Sequence, residues 1–306
     1  MLEHLPKKVR IVEVGPRDGL QNEKTIVSIE DKITFIKMLA DAGLREIEAT
    51  SFVRAENIPQ MSDGVELFSR LVKENNFQKT KLISLVPNEK GLENAMIAGV
   101  KEIAIFTSTS NTFNQKNINA TIDESLKRID SVMAQANKEG VKTRAYISTV
   151  FGCPYEGKTS FVELQRIAKH LESLGVYEIS LGDTIGIANP LQVKDIIQRL
   201  KEDFSLNFFA MHFHDTRGMG VANVLASLEM GITSFDSSAG GLGGCPYAKG
   251  ASGNVATEDL VFLFQSMGIE TGINLEKLSQ ASSFILAKLK KSSSSKSLTA
   301  FLAEKA

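Results

Sequence analysis

The stretch Asn207–Ser237, NFFAMHFHDTRGMGVANVLASLEMGITSFDS, contains one complete unit of the pattern that decides the fold. Asn207–Phe213 predicts a buried strand, Gly220–Met230 predicts a helix, and Ser234–Ser237 predicts the next strand. Gly231 directly follows the helix, at the position where glycine most often ends one. A strand, a helix and a second strand in this order predict two parallel strands joined by a right-handed crossover.

The same alternation extends along most of the chain. The other predicted strands are Val9–Val14, Glu46–Ala49, Lys81–Val86, Glu102–Phe106, Thr143–Val150 and Glu178–Leu181. The other predicted helices are Ser28–Ala42, Asp63–Glu74, Glu89–Ala98, Thr121–Glu139, Ser160–Leu174, Pro190–Asp203 and Ala256–Gly268. Eight such units in 306 residues predict an α/β fold, a (β/α)8 TIM barrel with a short C-terminal helical extension.

The domain prediction is a single catalytic domain over residues 1–306, with the barrel at about 9–270 and the extension at about 274–306. A doubly wound open sheet has the same alternation and is the alternative fold. Its phosphate loop, GxGxxG after the first strand, is absent, because the first strand continues into Gly15–Gly19, GPRDG. The composition changes only in the tail, where Lys290–Lys296 predicts a flexible polar link.

Composition and charge exclude several classes of partner. The chain is 42% hydrophobic and 23% charged, and its formal net charge of −1 gives no reason to expect nucleic acid or an anionic membrane. No apolar run approaches the roughly 20 residues that a spanning helix needs, and Met1–Arg10 lacks the apolar core of a signal peptide. Two cysteines without a CxxC motif indicate free thiols in a reducing compartment, so we expect a cytoplasmic protein.

A glycine-rich segment follows the eighth predicted strand. Ser237–Ala248, SSAGGLGGCPYA, places four glycines and a proline around Cys245. Such a loop bends sharply and is able to carry a thiol over a ligand, which predicts a functional role for Cys245. Cys153 lacks this setting, and we expect it to pack as an inert buried thiol.

Polar residues gather where the predicted strands end. Active sites of this fold lie at the C-terminal ends of the strands. The candidates at this rim are Arg17, Asp18, Glu48, Asp183, His212, His214, Cys245 and Asn254. Any one of them alone could be a salt bridge or a helix cap, but their collective placement predicts a catalytic site.

The histidine pair predicts a metal site. His212 and His214 stand two positions apart on a strand, so both imidazoles point to the same face. Asp18 is the natural carboxylate partner, and Asn254 could add a neutral oxygen. This ligand set suits octahedral Mg²⁺ or Mn²⁺ with positions open for substrate, although catalytic zinc stays open. The alternative to a metal site is that one histidine is a hydrogen-bonded core residue and the other caps the next helix.

Two further rim residues have two readings each. Arg17 is either an oxyanion-stabilising group or, beside Asp18, a structural ion pair that could include Glu48, and the neighbouring metal site favours the first. Asp183 either caps the next segment or contacts the substrate.

At these residues the chain resembles the 3-hydroxy-3-methylglutaryl-CoA (HMG-CoA) lyases. The motifs that carry the resemblance are Val14–Glu23, Glu48–Phe52, Gly182–Gly186, His212–Thr216, and Gly240–Ala248 with Gly250–Asn254. The opening and histidine motifs are shared with isopropylmalate and homocitrate synthases, whereas the GLGGCPYA loop is similar to the lyases specifically. The resemblance extends from the first strand to about Leu278.

The resemblance implies a metal-dependent retro-Claisen cleavage of HMG-CoA to acetyl-CoA and acetoacetate, and a homodimer. Asp18, His212, His214 and Asn254 would hold the metal, and Asp18, a metal-bound water or His212 would take part in removing the hydroxyl proton. Arg17, braced by Glu48, would stabilise the enolate and bind substrate with Asp183, and Cys245 would donate the final proton. A Claisen synthase, a lyase for a related acyl-CoA and a non-catalytic barrel are the alternatives.

Overall fold

The computed structural model describes residues 5–74, 77–244 and 253–305. Eight parallel strands close into a barrel in sequence order, which confirms the predicted fold. The strands are β1 Arg10–Glu13, β2 Glu46–Ser51, β3 Lys81–Leu85, β4 Glu102–Ser108, β5 Lys142–Ser148, β6 Glu178–Asp183, β7 Phe209–Phe213 and β8 Ser234–Ser237. Because β8 pairs with β1 as well as with β7, the sheet has no free edge.

Helices cover the outside of the barrel. They are α1 Ile29–Asp41, α2 Gly64–Leu71, α3 Glu89–Ile97, α4 Asn111–Ile118, α5 Ile122–Lys138, α6 Phe161–Ser173, α7 Pro190–Leu200, α8 Gly220–Glu229, α9 Thr257–Ser266, α10 Leu275–Leu289 and α11 Lys296–Glu304. All eight predicted helices are present. In the described part of the chain, no helix has the length and apolar character required to cross a membrane.

Several details differ from the predicted elements, and helices α2 and α7 both end three residues earlier than predicted, at Leu71 and Leu200. Helix α4 was not predicted, because its sequence NTFNQKNI has no apolar stripe. It buries Phe113 and Asn114, and the Ser110 side chain accepts the N–H of Phe113 at its start. Strand β7 begins at Phe209 rather than Asn207, because Leu206–Phe208 forms a short 3₁₀ turn.

The barrel interior buries both apolar and charged side chains. A small apolar cluster from β1 and the residue after it, β3, β4 and β5 consists of Val12, Val14, Ile83, Leu85, Ala104 and Tyr146. The interior also buries Arg144, Glu178 and Asp236, which come from β5, β6 and β8. The strand register places Arg144 beside Glu178, and His212 beside Asp236.

The prediction of a flexible link at Lys290–Lys296 is wrong. Ser295 is fully buried, bonds to Asp259 and accepts the Leu298 N–H at the start of α11. Ser294 donates its backbone N–H to the Gly240 carbonyl and its hydroxyl to the Gly241 carbonyl, at 3.3 and 3.1 Å. The serines therefore anchor the tail to the segment that follows β8.

Candidate active site

A tight turn after β1 presents two of the predicted residues to the barrel mouth. Gly15–Gly19 forms one π-helical turn, in which the Gly19 N–H donates to the Val14 carbonyl at 3.1 Å. Single turns of this kind occur frequently at functional sites. The turn carries Arg17 and Asp18, and both side chains line a large cavity.

Asp18, His212 and His214 converge as the sequence predicted. Each offers one ligand atom, and these atoms all lie within 4.8 Å of one another. The Nε2 of His212 lies 4.0 Å from the Asp18 carboxylate. Asn254 pairs with His214 in an isolated bridge and donates its Nδ2 to Asp18 at 2.8 Å. All four predicted ligands therefore meet at one place.

Two acceptor atoms in this cluster fit a cation. The Nδ1 of His214 and the Oδ1 of Asn254 are buried, and neither has a hydrogen-bond partner among the described residues. Leaving a buried polar atom unpaired costs about 1–3 kcal/mol, so such atoms usually have a partner. Nitrogen and oxygen ligands together with a carboxylate suit Mg²⁺ or Mn²⁺. The residues present thus fit a divalent metal ion.

The charges around Asp18 and His214 favour the protonation states that metal binding needs, whereas burial of His212 is outweighed by its hydrogen bond to Asp236, which raises the pKa of His212. Burial raises the pKa of Asp18, but the Arg17 guanidinium and the two imidazoles outweigh burial and lower it to about 2. Burial and the neighbouring His212 lower the pKa of His214 to about 4. Near neutral pH, Asp18 is therefore an anion and His214 a neutral imidazole, as coordination requires.

Arg17 is both part of an ion pair and part of the cavity wall. Its Nε donates to Glu48 at 2.6 Å, and its Nη1 donates to Asp18 at 2.7 Å. Glu48 is fully buried, so the pair fixes the orientation of the guanidinium. The guanidinium also lies 5.5 Å from the centre of the Tyr146 ring. The two readings of Arg17 are compatible, since a fixed arginine is what oxyanion stabilisation requires.

The cavity above this cluster has a volume of about 1060 Å³. Arg17, Asp18 and the two histidines are among its lining residues. The other cationic side chains that line it are Arg54, Lys116 and Arg128. A cavity of this size is able to hold a large anionic ligand next to the candidate metal ligands.

Asp183 lies at the end of β6, but its carboxylate is directed at the backbone. It accepts the N–H groups of Ile187 and Ala188, both at 3.0 Å, and it is buried. Burial outweighs these bonds and raises the pKa of Asp183 to about 6. The structure therefore favours the capping role, and the substrate role stays a prediction.

Cys245 lies outside the described residues, which end at Gly244 before it. The segment leading to it needs glycine: Gly241 has a φ of +66°, and a Cβ there would lie 2.0 Å from the Ser294 hydroxyl. Gly243 has a φ of +123°, and its Cβ would lie 2.7 Å from the Asn254 amide nitrogen. Cys153 is buried, and its sulfur accepts the N–H groups of Tyr155 and Glu156.

Sequence reasoning missed three residues beside the site. Tyr146 lines the cavity, and its ring contacts His212 edge-on with 6.0 Å between centroids. Asp236 lies 3.3 Å from His212, and Arg144 binds Asp236 at 2.9 Å. The available signal was position on the strand. Arg144 and Tyr146 stand two positions apart on β5, so their side chains point to the same face, the barrel interior, where His212 of β7 also points.

Known proteins match this chain over most of its length. A family model described as HMGL-like matches residues 8–285. The mitochondrial hydroxymethylglutaryl-CoA lyase of Bos taurus is 50% identical over 291 residues, which cover 95% of this chain and 89% of that protein.

Solved structures agree with this match. The HMG-CoA lyase of Bacillus subtilis superposes with a TM-score of 0.94 at 48% identity, covering 97% of this chain and 99% of that one. The HMG-CoA lyase of Acinetobacter baumannii, solved with coenzyme A and 3-methylmalate, gives 0.90 at 39% identity, covering 95% and 94%. By sequence and by fold, the chain belongs to the family of the hydroxymethylglutaryl-CoA lyases.

Proposed function

We propose that the protein is an HMG-CoA lyase, a carbon–carbon lyase that cleaves 3-hydroxy-3-methylglutaryl-CoA to acetyl-CoA and acetoacetate. The observation that carries this proposal is the meeting of Asp18, His212 and His214, which line one large cavity together with Arg17. Relatives that are 49% and 50% identical over nearly the whole chain are named hydroxymethylglutaryl-CoA lyases, which supports the proposal.

The proposed cofactor is Mg²⁺ or Mn²⁺, held by Asp18, His212, His214 and Asn254. When bound, a divalent ion supplies Lewis-acid chemistry toward the substrate's hydroxyl and carbonyl oxygens. The convergence of Asp18 with the two histidines supports this assignment, and so do the buried, unpaired atoms of His214 and Asn254.

The side chains of this protein would transfer the protons and stabilise the negative charge that forms during the reaction. Asp18 accepts the proton of the tertiary hydroxyl, directly or through water, and a carbonyl forms at that carbon as its bond to the thioester-bearing methylene breaks. The bonding electron pair becomes the enolate of acetyl-CoA. Arg17, held by Glu48, stabilises the enolate oxygen. Cys245 then donates a proton to the enolate carbon, and this role rests on the resemblance of its loop.

We propose that the cationic side chains of the cavity bind the phosphate groups of coenzyme A. Arg54, Lys116 and Arg128 line the same cavity as the candidate metal ligands. Guanidinium and ammonium groups are the usual protein partners of phosphates. The lyase of A. baumannii was solved with coenzyme A, which supports an acyl-CoA ligand in this fold.

A homodimer and a cytoplasmic location are also proposed. The homodimer rests on the resemblance to the lyases. The cytoplasmic location rests on the two cysteines without a CxxC motif, a pattern typical of reduced thiols. We also propose that Asp183 contacts the substrate. For this contact its carboxylate has to release the backbone N–H groups of Ile187 and Ala188, from which it accepts hydrogen bonds in this structure.

The direct test is turnover of purified protein with HMG-CoA, with and without added Mg²⁺ or Mn²⁺. We expect acetoacetate and acetyl-CoA in equal amounts, and only with metal. A parallel reaction with acetyl-CoA and a 2-oxo acid tests the synthase alternative and should give no condensation product. Failure to release acetoacetate from HMG-CoA in the presence of metal would contradict the proposal.

A further inference from the structure

Asp236 on β8 lies directly behind one of the proposed metal ligands. Its side chain is buried, and the strand register places it beside His212 on β7. One carboxylate oxygen lies 3.3 Å from the Nδ1 of His212. The other ring nitrogen, Nε2, lies on the side of Asp18, 4.0 Å from its carboxylate. The imidazole therefore faces the metal cluster with one nitrogen and Asp236 with the other.

The Asp236 carboxylate is itself held by two other strands. Arg144 on β5 donates to its Oδ1 at 2.9 Å, and Ser180 on β6 donates to its Oδ2 at 2.5 Å. Arg144 is fully buried and also lies 3.0 Å from Glu178. Asp236 is thus an acceptor held in place by two other strands.

We propose that Asp236 is a positioning residue that keeps the proton of His212 on Nδ1 and directs the Nε2 lone pair toward the metal. A coordinating imidazole needs its other N–H bound to an acceptor, which fixes both the tautomer and the ring orientation. Without Asp236, the ring would be free to carry its proton on either nitrogen. The inference rests on the metal site proposed above.

The experiment is an equilibrium titration with Mn²⁺ alone, in which free Mn²⁺ is measured by electron paramagnetic resonance. Replacing a group of this kind typically weakens metal binding about 10- to 100-fold, and we expect that for Asp236→Asn. The matched control is Glu178→Gln, because Glu178 is equally buried and lies against the same Arg144 but does not touch His212. We expect the control to lose stability while it keeps wild-type affinity for Mn²⁺.

A double-mutant cycle separates positioning from general damage. If Asp236 acts through His212, Asp236→Asn should weaken Mn²⁺ binding in the wild-type background and add nothing in His212→Ala. A further loss in the His212→Ala background would overturn the inference. So would wild-type Mn²⁺ affinity in Asp236→Asn, or an equal loss of affinity in Glu178→Gln.

The same titration distinguishes failure of this inference from failure of the metal site. If His212→Ala binds Mn²⁺ as tightly as wild type, the proposed metal site is wrong and this inference with it. If His212→Ala loses Mn²⁺ and Asp236→Asn does not, only the role of Asp236 is wrong. Should Asp236→Asn fail to fold, ¹⁵N NMR of the wild-type protein with Mg²⁺ decides: a proton on Nδ1 of His212 supports the inference, and a proton on Nε2 overturns it.

Discussion

The two ends of the barrel interior both bury charged side chains, but they use them differently. At the N-terminal end, Arg10 meets Glu46 and Glu178, and Lys81 binds Glu46 at 3.0 Å. At the C-terminal end, His214 and Asn254 keep ligand atoms that no described residue pairs with. In this fold the N-terminal end contributes stability and the C-terminal end contributes chemistry. The difference therefore predicts which substitutions change the rate and which change the free energy of unfolding.

The largest effect is expected for His214→Ala at the C-terminal end. Losing a metal ligand removes charge stabilisation worth several kcal/mol, so turnover of HMG-CoA should fall by about a thousandfold or more. The protein should still fold, because His214 Nδ1 has no partner in the described structure to lose. His170→Ala is the control, since His170 lies on α6 and pairs with Asp130. Near-normal turnover in His214→Ala would contradict the assignment.

Arg17→Gln should have the next largest effect. Removing one preorganised oxyanion donor typically costs about a hundred- to a thousandfold in rate, and loss of a full charge should cost at least that. The melting temperature should also fall, because the substitution leaves the fully buried Glu48 without its charged partner, but the loss of rate should far exceed what the loss of stability explains. Steady-state kinetics and thermal unfolding measure both quantities. A large loss of stability with a proportionate loss of activity would make Arg17 a structural ion pair only.

Arg10→Gln is the matched substitution at the opposite end and should lose stability without any loss of turnover. Breaking a well-buried ion pair costs about 3–5 kcal/mol. Arg10 is 35% exposed at its side chain, so solvent screening should reduce the cost to about 1–3 kcal/mol. Turnover should match wild type, because Arg10 does not line the cavity. Denaturant unfolding measures the stability and the lyase assay measures the turnover. A variant with reduced turnover and wild-type stability would contradict the assignment of stability to the N-terminal end of the barrel.

Glu13→Gln should give the smallest effect, one that depends on pH. The Glu13 carboxylate accepts only neutral donors, namely the N–H groups of Gly15 and Ala239 and the Thr257 hydroxyl. Burial outweighs these bonds and raises the pKa of Glu13 from 4.5 to about 7. Between these pH values the unfolded chain ionises and the folded protein does not, so Glu13 destabilises the folded state as pH rises.

The measurement is the free energy of unfolding of wild type and Glu13→Gln at pH 5 and pH 7.5. The wild-type value should fall relative to that of the variant by about 1–3 kcal/mol over this range. Glutamine preserves the geometry, because its amide oxygen accepts and its nitrogen donates to Thr257. A difference that does not change with pH would show that Glu13 is ionised throughout.

Local patterns in the sequence were sufficient to predict the barrel fold and the convergence of the candidate metal ligands at its C-terminal rim. Strand and helix periods depend on neighbouring residues, and strand ends place Asp18, His212 and His214 at the same edge. Helix α4 could not be predicted, since its polar sequence carries no apolar stripe. The serines of the tail looked like a linker because their partners, Gly240 and Asp259, lie far away in sequence.

Asp236 and Asp183 show where sequence reasoning reaches its limit. The role of Asp236 depends on Arg144, Ser180 and His212, which come from three other strands, so only the closed barrel reveals it. The two readings of Asp183 differ only in the direction of its side chain, which no spacing rule specifies. The structure directs it at the backbone of Ile187 and Ala188.

The central claim is that the C-terminal end of the barrel binds one divalent metal ion and cleaves HMG-CoA with it. The most direct measurement is a Mn²⁺ titration of metal-free protein in which bound Mn²⁺ and the rate of acetoacetate release are recorded on the same samples. The account predicts that both rise along one curve and saturate together at one ion per chain. Acetoacetate release that is already complete before Mn²⁺ binds, or Mn²⁺ binding without any release, would contradict it.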